Sequence, residues 1–69
     1  MGKTSEKLGR KIQKLRNDIG FSQEELAEKV GISRTHMGHV EQGRKVPSLK
    51  VMEKLARILK VRVSELFPF

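Results

Sequence analysis

The stretch FSQEELAEKVGISRTHMGHVEQG, residues 21–43, holds two short helical patterns with a glycine between them. Ser22 opens the first, and Glu25 follows three residues later. That is the spacing of a capping box, in which hydroxyl and carboxylate each accept a backbone N–H at a helix start. Leu26, Ala27 and Val30 supply the apolar side of this helix, which stops at Gly31, a residue that enters the left-handed region without a Cβ penalty. Ile32 is then free to plug the core, and Ser33 is placed to cap a further helix whose apolar positions are Met37 and Val40, at i and i+3. The rest of that helix, Arg34, Thr35, His36, Gly38 and His39, carries no hydrophobic stripe. Gly38 in a helix interior costs up to about 1 kcal/mol relative to Ala, so its presence suggests that something needs the room. Two helices too short to be stable alone, set at a fixed angle with one polar face left over, suggest a surface that is read by a partner.

Outward from this unit the period remains helical. Leu8, Ile12, Leu15 and Ile19 fall at i, i+4, i+7 and i+11, with Lys7, Arg10, Lys11 and Lys14 away from that face, and Gly20 ends the pattern. On the other side, EQGRKVPS reads as a loop with Gly43 as a C-cap and Pro47 just before the next start. Ser48 is expected to cap a fourth helix over residues 48–60, with Leu49, Met52, Leu55, Ala56 and Leu59 on its core face. The last segment, VRVSELFPF, reads as a linker and a final turn capped by Ser64 that packs Leu66 and Phe67. There is no hairpin signal, internal repeat or low-complexity tract, so the expected class is all-α.

Composition limits the possible functions. The chain has 69 residues, enough for one small domain with a modest core. It has no cysteine, so neither a disulfide nor a thiolate metal site can staple it, and helix packing must hold the fold. Lys and Arg number 15 against 8 acidic residues, a formal net charge of +7, and a polyanion is the natural partner for that excess. Apolar runs are too short for a membrane span, and the basic start is not followed by the apolar stretch of a secretory leader, so a cytoplasmic location is expected. His36 and His39 stand at i, i+3, but no cysteine or carboxylate at suitable spacing completes a metal site. Nor do serine, histidine and acid fall into an order that argues for nucleophilic catalysis. No cofactor, metal or small-molecule ligand is called for, and an enzyme is not expected.

The run SQEELAEKVGISRTHMGHVEQGRKVPSLKVMEKLARIL resembles the helix-turn-helix domain of the Cro/C1-type (XRE-like) transcriptional regulators. The match rests on Gln23 near the start of helix two, Ala27 within it, Gly31 in the turn, Ile32 after it and the VEQG ending of helix three. The resemblance implies a compact five-helix, lambda-repressor-like domain over residues 5–67, with the helix-turn-helix unit at 22–42 and the recognition helix at 33–42. It implies double-stranded DNA as partner, bound as a homodimer on a palindromic operator by a repressor-type regulator.

On that resemblance Arg34, Thr35 and His39 are the expected base readers, with His36 and Gly38 at the margin. Arg34 leads, because its planar fork can donate two hydrogen bonds to one guanine, adding about 1 to 3 kcal/mol of discrimination. Gln23, at a helix start whose N–H groups favour an anion, is the expected phosphate contact together with Ser22. Arg44, Lys45 and Lys14 are further phosphate candidates, while Arg16 and Glu41 match positions that form a partly buried ion pair in related phage repressors. An ordinary solvated surface is the competing reading for each exposed cation. Pro68 and Phe69 are candidates for a dimer contact. From a different class, the same fold can serve as a protein-interaction module, as in an antitoxin-like binder, and that role would need an exposed apolar stripe.

Overall fold

Each helix of this chain is too small to bury anything by itself, so the fold depends on five apolar side chains meeting at one point. The computed structural model describes residues 2–67, with side chains from residue 4 onward. Among them are α1 (Gly2–Ile19), α2 (Gln23–Val30), α3 (Arg34–Glu41), α4 (Leu49–Leu59) and α5 (Val63–Leu66), and no strand. Ile12, Leu26, Met37, Leu55 and Leu66, one from each helix in turn, are all 0% exposed. Burying side chains of this size contributes about 1.5 to 3 kcal/mol apiece. Leu8, Ala27, Val30, Val40, Met52, Ala56 and Leu59 complete the cluster, and Phe21 and Ile32 pack on its edge. No helix among the described residues is long and apolar enough to cross a membrane.

Caps fix where α2, α3 and α4 begin. The Ser22 hydroxyl accepts from the Glu25 N–H at 3.0 Å while the Ser22 N–H donates to the Glu25 carboxylate at 2.8 Å, the reciprocal box expected from the sequence. Ser33 accepts from the His36 N–H and Ser48 from the Val51 N–H. Gly31 sits at φ 88° and its N–H returns to the Ala27 carbonyl at 2.8 Å, followed by the Ile32 N–H to the same oxygen at 3.0 Å. This closes α2, and the chain enters α3 within three residues.

Four expectations change at the ends of elements. Ile19 is 39% exposed, because the Gly20 and Phe21 N–H groups both turn back to the Arg16 carbonyl and Phe21 reaches the core instead. Leu49 is 67% exposed: it is the first residue of α4, and side chains lean toward a helix N-terminus, which carries this one past the core face that Met52 and Ala56 share. Ser64 does not cap α5; Arg62 stands at the N-cap, its backbone N–H donating to the Glu65 carboxylate at 3.0 Å. Phe67 is 39% exposed, since Leu66 takes the single core place that so short a helix offers. Pro68 and Phe69, the candidate dimer contact, lie outside the described residues.

Gly9 holds a contact that the sequence pattern alone did not single out. A Cβ there would stand 2.5 Å from the Val40 carbonyl oxygen and closer still to that of Glu41, so α1 crosses the end of α3 backbone against backbone. This crossing brings α1 close enough to hold α3 from behind, leaving the opposite side of α3 open.

Candidate nucleic-acid interface

The open side of α3 follows from its residue order. Met37, Val40 and Glu41 are buried, Arg34 and Thr35 are exposed, and His36, Gly38 and His39 are half-buried along the flanks. The structure brings Thr35, His36 and His39 together with Ser33 and Lys45 around one shallow groove. Arg34 and Gly38 do not line it; they share the other flank, four residues apart. There a Cβ on Gly38 would lie 3.8 Å from Gln23 Oε1, an ordinary contact, so the room left by this glycine is bordered by the Gln23 amide and is not tightly filled.

The groups behind the open face of α3 form one network. Arg16 Nε donates to Glu41 Oε2 at 2.7 Å and Arg16 Nη2 to Glu41 Oε1 at 3.1 Å, a two-point pairing that matches the fork of a guanidinium to a carboxylate. The Arg16 and Glu41 side chains are only 10% and 2% exposed. Arg16 Nη1 also donates to the Phe21 carbonyl at 2.8 Å, and Gln23 Nε2 donates to Glu41 Oε1 at 3.0 Å. Helices α1, α2 and α3 are thereby tied through one carboxylate, and no buried side-chain nitrogen or oxygen among the described residues is left without a partner. Glu41 is the only acid on α3, and these donors engage it. The open face of α3 itself carries no negative charge.

The remaining phosphate candidates sit around this face. Arg44 and Lys45 are exposed, and their backbone N–H groups both return to the His39 carbonyl, at 2.9 Å and 3.3 Å, which wraps the loop onto the end of α3. Ser22 is exposed at the start of α2, with its hydroxyl accepting a capping bond. Glu25 beside it is held below the ordinary glutamate pKa, chiefly by the Ser22 backbone N–H and then by the Ser22 hydroxyl. Lys14 pairs with Asp18 at 3.1 Å on the open surface of α1, a contact that solvent screens and that contributes little. Gln23 has one amide N–H committed to Glu41, which fixes its direction.

Two features of this surface had only weak sequence signals. Gly9 went unremarked in the sequence, although an isolated glycine inside an amphipathic helical pattern is the signal that could have found its close packing. Lys54 on α4 brings its Nζ to within 3.9 Å of where a Gly31 Cβ would stand, placing a cation at the C-terminal end of α2, where carbonyls point outward. No group of three or more His, Cys, Asp or Glu among the described residues could hold a metal ion.

Comparison with known proteins agrees with this geometry. A helix-turn-helix family pattern matches residues 12–66. An uncharacterised helix-turn-helix transcriptional regulator of Archaeoglobus fulgidus is 41% identical over 59 residues, covering 86% of this chain and 84% of the relative. The restriction-modification controller protein C.AhdI of Aeromonas hydrophila superimposes with a TM-score of 0.84 at 40% identity, over 90% of this chain and 94% of that one. SinR, the master regulator for biofilm formation, solved in complex with DNA, does so with a TM-score of 0.79 at 33% identity, over 86% and 95% of the two chains. The five helices, the glycine turn and these likenesses place the chain in the helix-turn-helix family of Cro/C1-type, DNA-binding transcriptional regulators, a non-enzymatic class.

Proposed function

We propose that the chain regulates transcription by binding a palindromic operator as a dimer, with α3 of each protomer in the major groove. The observation that carries this reading is the division of α3 into a buried side, Met37, Val40 and Glu41, and an outward side of donors and acceptors with no free acid. A helix fits the major groove, where each base pair presents its own pattern of donors, acceptors and methyl groups. Arg34 donates to guanine O6 and N7, Thr35 offers its methyl to thymine or its hydroxyl to a base edge, and His39 donates to guanine or a phosphate. His36 and Gly38 border these contacts. Gln23, Ser22, Arg44, Lys45 and Lys14 hold the backbone and set the register without carrying base information.

A domain measuring 28 × 24 × 22 Å is narrow enough for two copies to sit side by side on half-sites about 34 Å apart. The DNA complex of the relative SinR supports DNA as the partner here. Selection of tight-binding duplexes from a random library at near-physiological salt tests the reading. An inverted repeat with half-site centres about one helical turn apart is expected.

A second reading, the protein-interaction module, draws on Val46 and Leu49, which are 69% and 67% exposed at adjoining ends of the loop and α4. It predicts no enriched motif in the same selection and a loss of partner binding, not of DNA binding, when both are changed to Ser.

A further inference from the structure

The outward side of α3 carries two imidazoles, and neither is engaged by another group among the described residues. His36 and His39 line one groove with Ser33, Thr35 and Lys45, and no hydrogen bond or ion pair from either ring is formed among the described residues. Of the charged groups on the neighbouring elements, Lys45 lines their groove, while those of α3 lie on its other flank and at its end. Lys45 stands across the groove, with Arg44 beside it in the same loop. Arg34 and Glu41 occupy the two ends of α3, and Glu41 is held by Arg16 of α1. From α2, Gln23 stands against the other flank, beside Gly38, and is neutral. Within the groove, then, the rings neighbour two hydroxyls and a cation, and no carboxylate lines it.

A neutral imidazole offers one donor and one acceptor; the protonated ring offers two donors and a positive charge. Histidine is the side chain whose charge can be switched within the pH range a cell or an assay can reach. A duplex reverses the surroundings, because phosphates are anionic and guanine edges present two acceptors in the major groove. Both favour the charged, two-donor ring. Resting on the reading of α3 as the DNA-facing helix, we propose that operator binding takes up protons at His36 and His39, so that affinity rises as the medium becomes more acidic. The sign follows from linkage: a bound state that holds more protons is favoured as pH falls, and one fully coupled proton moves Kd by about tenfold per pH unit.

The test is the Kd for the selected operator, read by fluorescence anisotropy at fixed ionic strength between about pH 7.5 and about pH 5.5, the span over which imidazole titrates. The wild-type chain is expected to bind at least about tenfold tighter per protomer at the acid end, and the His36→Gln, His39→Gln double variant to lose that dependence. Glutamine keeps a neutral hydrogen-bonding group, and both sites are partly exposed, so the fold is retained. Wild-type affinity that is flat with pH while the operator is still preferred over random duplex would overturn the proposal and leave the DNA reading intact. An unchanged pH slope in the double variant would also overturn it, since the protons would then be taken up elsewhere. Absence of operator preference at every pH would remove both readings. If the double variant binds too weakly to measure, the ring proton resonances decide: their titration midpoints are expected to move up when duplex is added, and unmoved midpoints would overturn the proposal.

Discussion

Arg16 and Glu41 show what a single residue decides in this molecule. Their two-point pairing is almost dry, and two charges removed from water contribute little net stability, because desolvation offsets most of the attraction. Breaking the pair is another matter. Arg16→Met or Glu41→Leu alone is expected to lower stability by about 3 to 5 kcal/mol, and the double substitution by much less, measured by urea unfolding. Glycines 9 and 38 make an opposite pair. Gly9→Ala forces a Cβ into the Val40 and Glu41 carbonyls, with an expected loss of about 1 to 3 kcal/mol, whereas Gly38→Ala meets only ordinary contact and is expected to gain about 0.5 to 1 kcal/mol. Arg34→Ala is expected to leave stability unchanged and to relax preference at one base position in each half-site by about 1 to 3 kcal/mol, read by binding to single-base operator variants. A uniform loss over all sequences would instead make Arg34 a phosphate contact.

At the scale of elements, the helix-turn-helix pair is held by its ends. The capping box of α2 depends on an ionised Glu25, whose carboxyl sits below the ordinary glutamate value because the Ser22 N–H and hydroxyl favour its charged form. A group with a depressed folded pKa contributes stability above its unfolded value and loses it as pH falls through the folded one. Glu25→Gln is therefore expected to flatten the acid limb of the stability curve, just below the ordinary glutamate range, and to leave the neutral limb parallel to wild type. Urea midpoints measured at a series of acid pH values check this. The box, the Gly31 stop and the Ser33 and Ser48 caps were legible in the sequence because each is a local hydrogen bond between residues at most four apart. Ile19, Leu49 and Phe67 were not, since each continues an apolar pattern but lies at a helix end, where the turn of the chain carries the side chain partly off the core.

For the whole molecule, the net charge of +7 and the proposed base contacts of α3 act at different ranges. Charge attracts any duplex and weakens with salt, whereas base contacts persist as a preference. Operator affinity is expected to fall steeply between about 50 mM and about 200 mM salt, while the ratio of operator to random duplex survives. Lys45→Ala is expected to reduce the salt slope by about 1 per protomer, as the loss of one phosphate contact would. If Lys45 instead reads a base from its place in the α3 groove, the change will appear as altered preference at one position. Competition binding against mixed-sequence duplex separates the two.

The sequence by itself determined the class of this protein. Helical period, caps, a glycine stop and a basic balance are properties of neighbouring residues and of composition, and together they specify short helices with one polar face turned toward an anionic partner. The pairing of residues far apart in the chain was decided only in three dimensions. Gly9 against Val40 and Glu41, and Gln23 bound to the Arg16 and Glu41 pair, depend on the angles at which the helices cross. Those angles are set by how five apolar side chains from five helices fill one core, a condition that no local pattern contains.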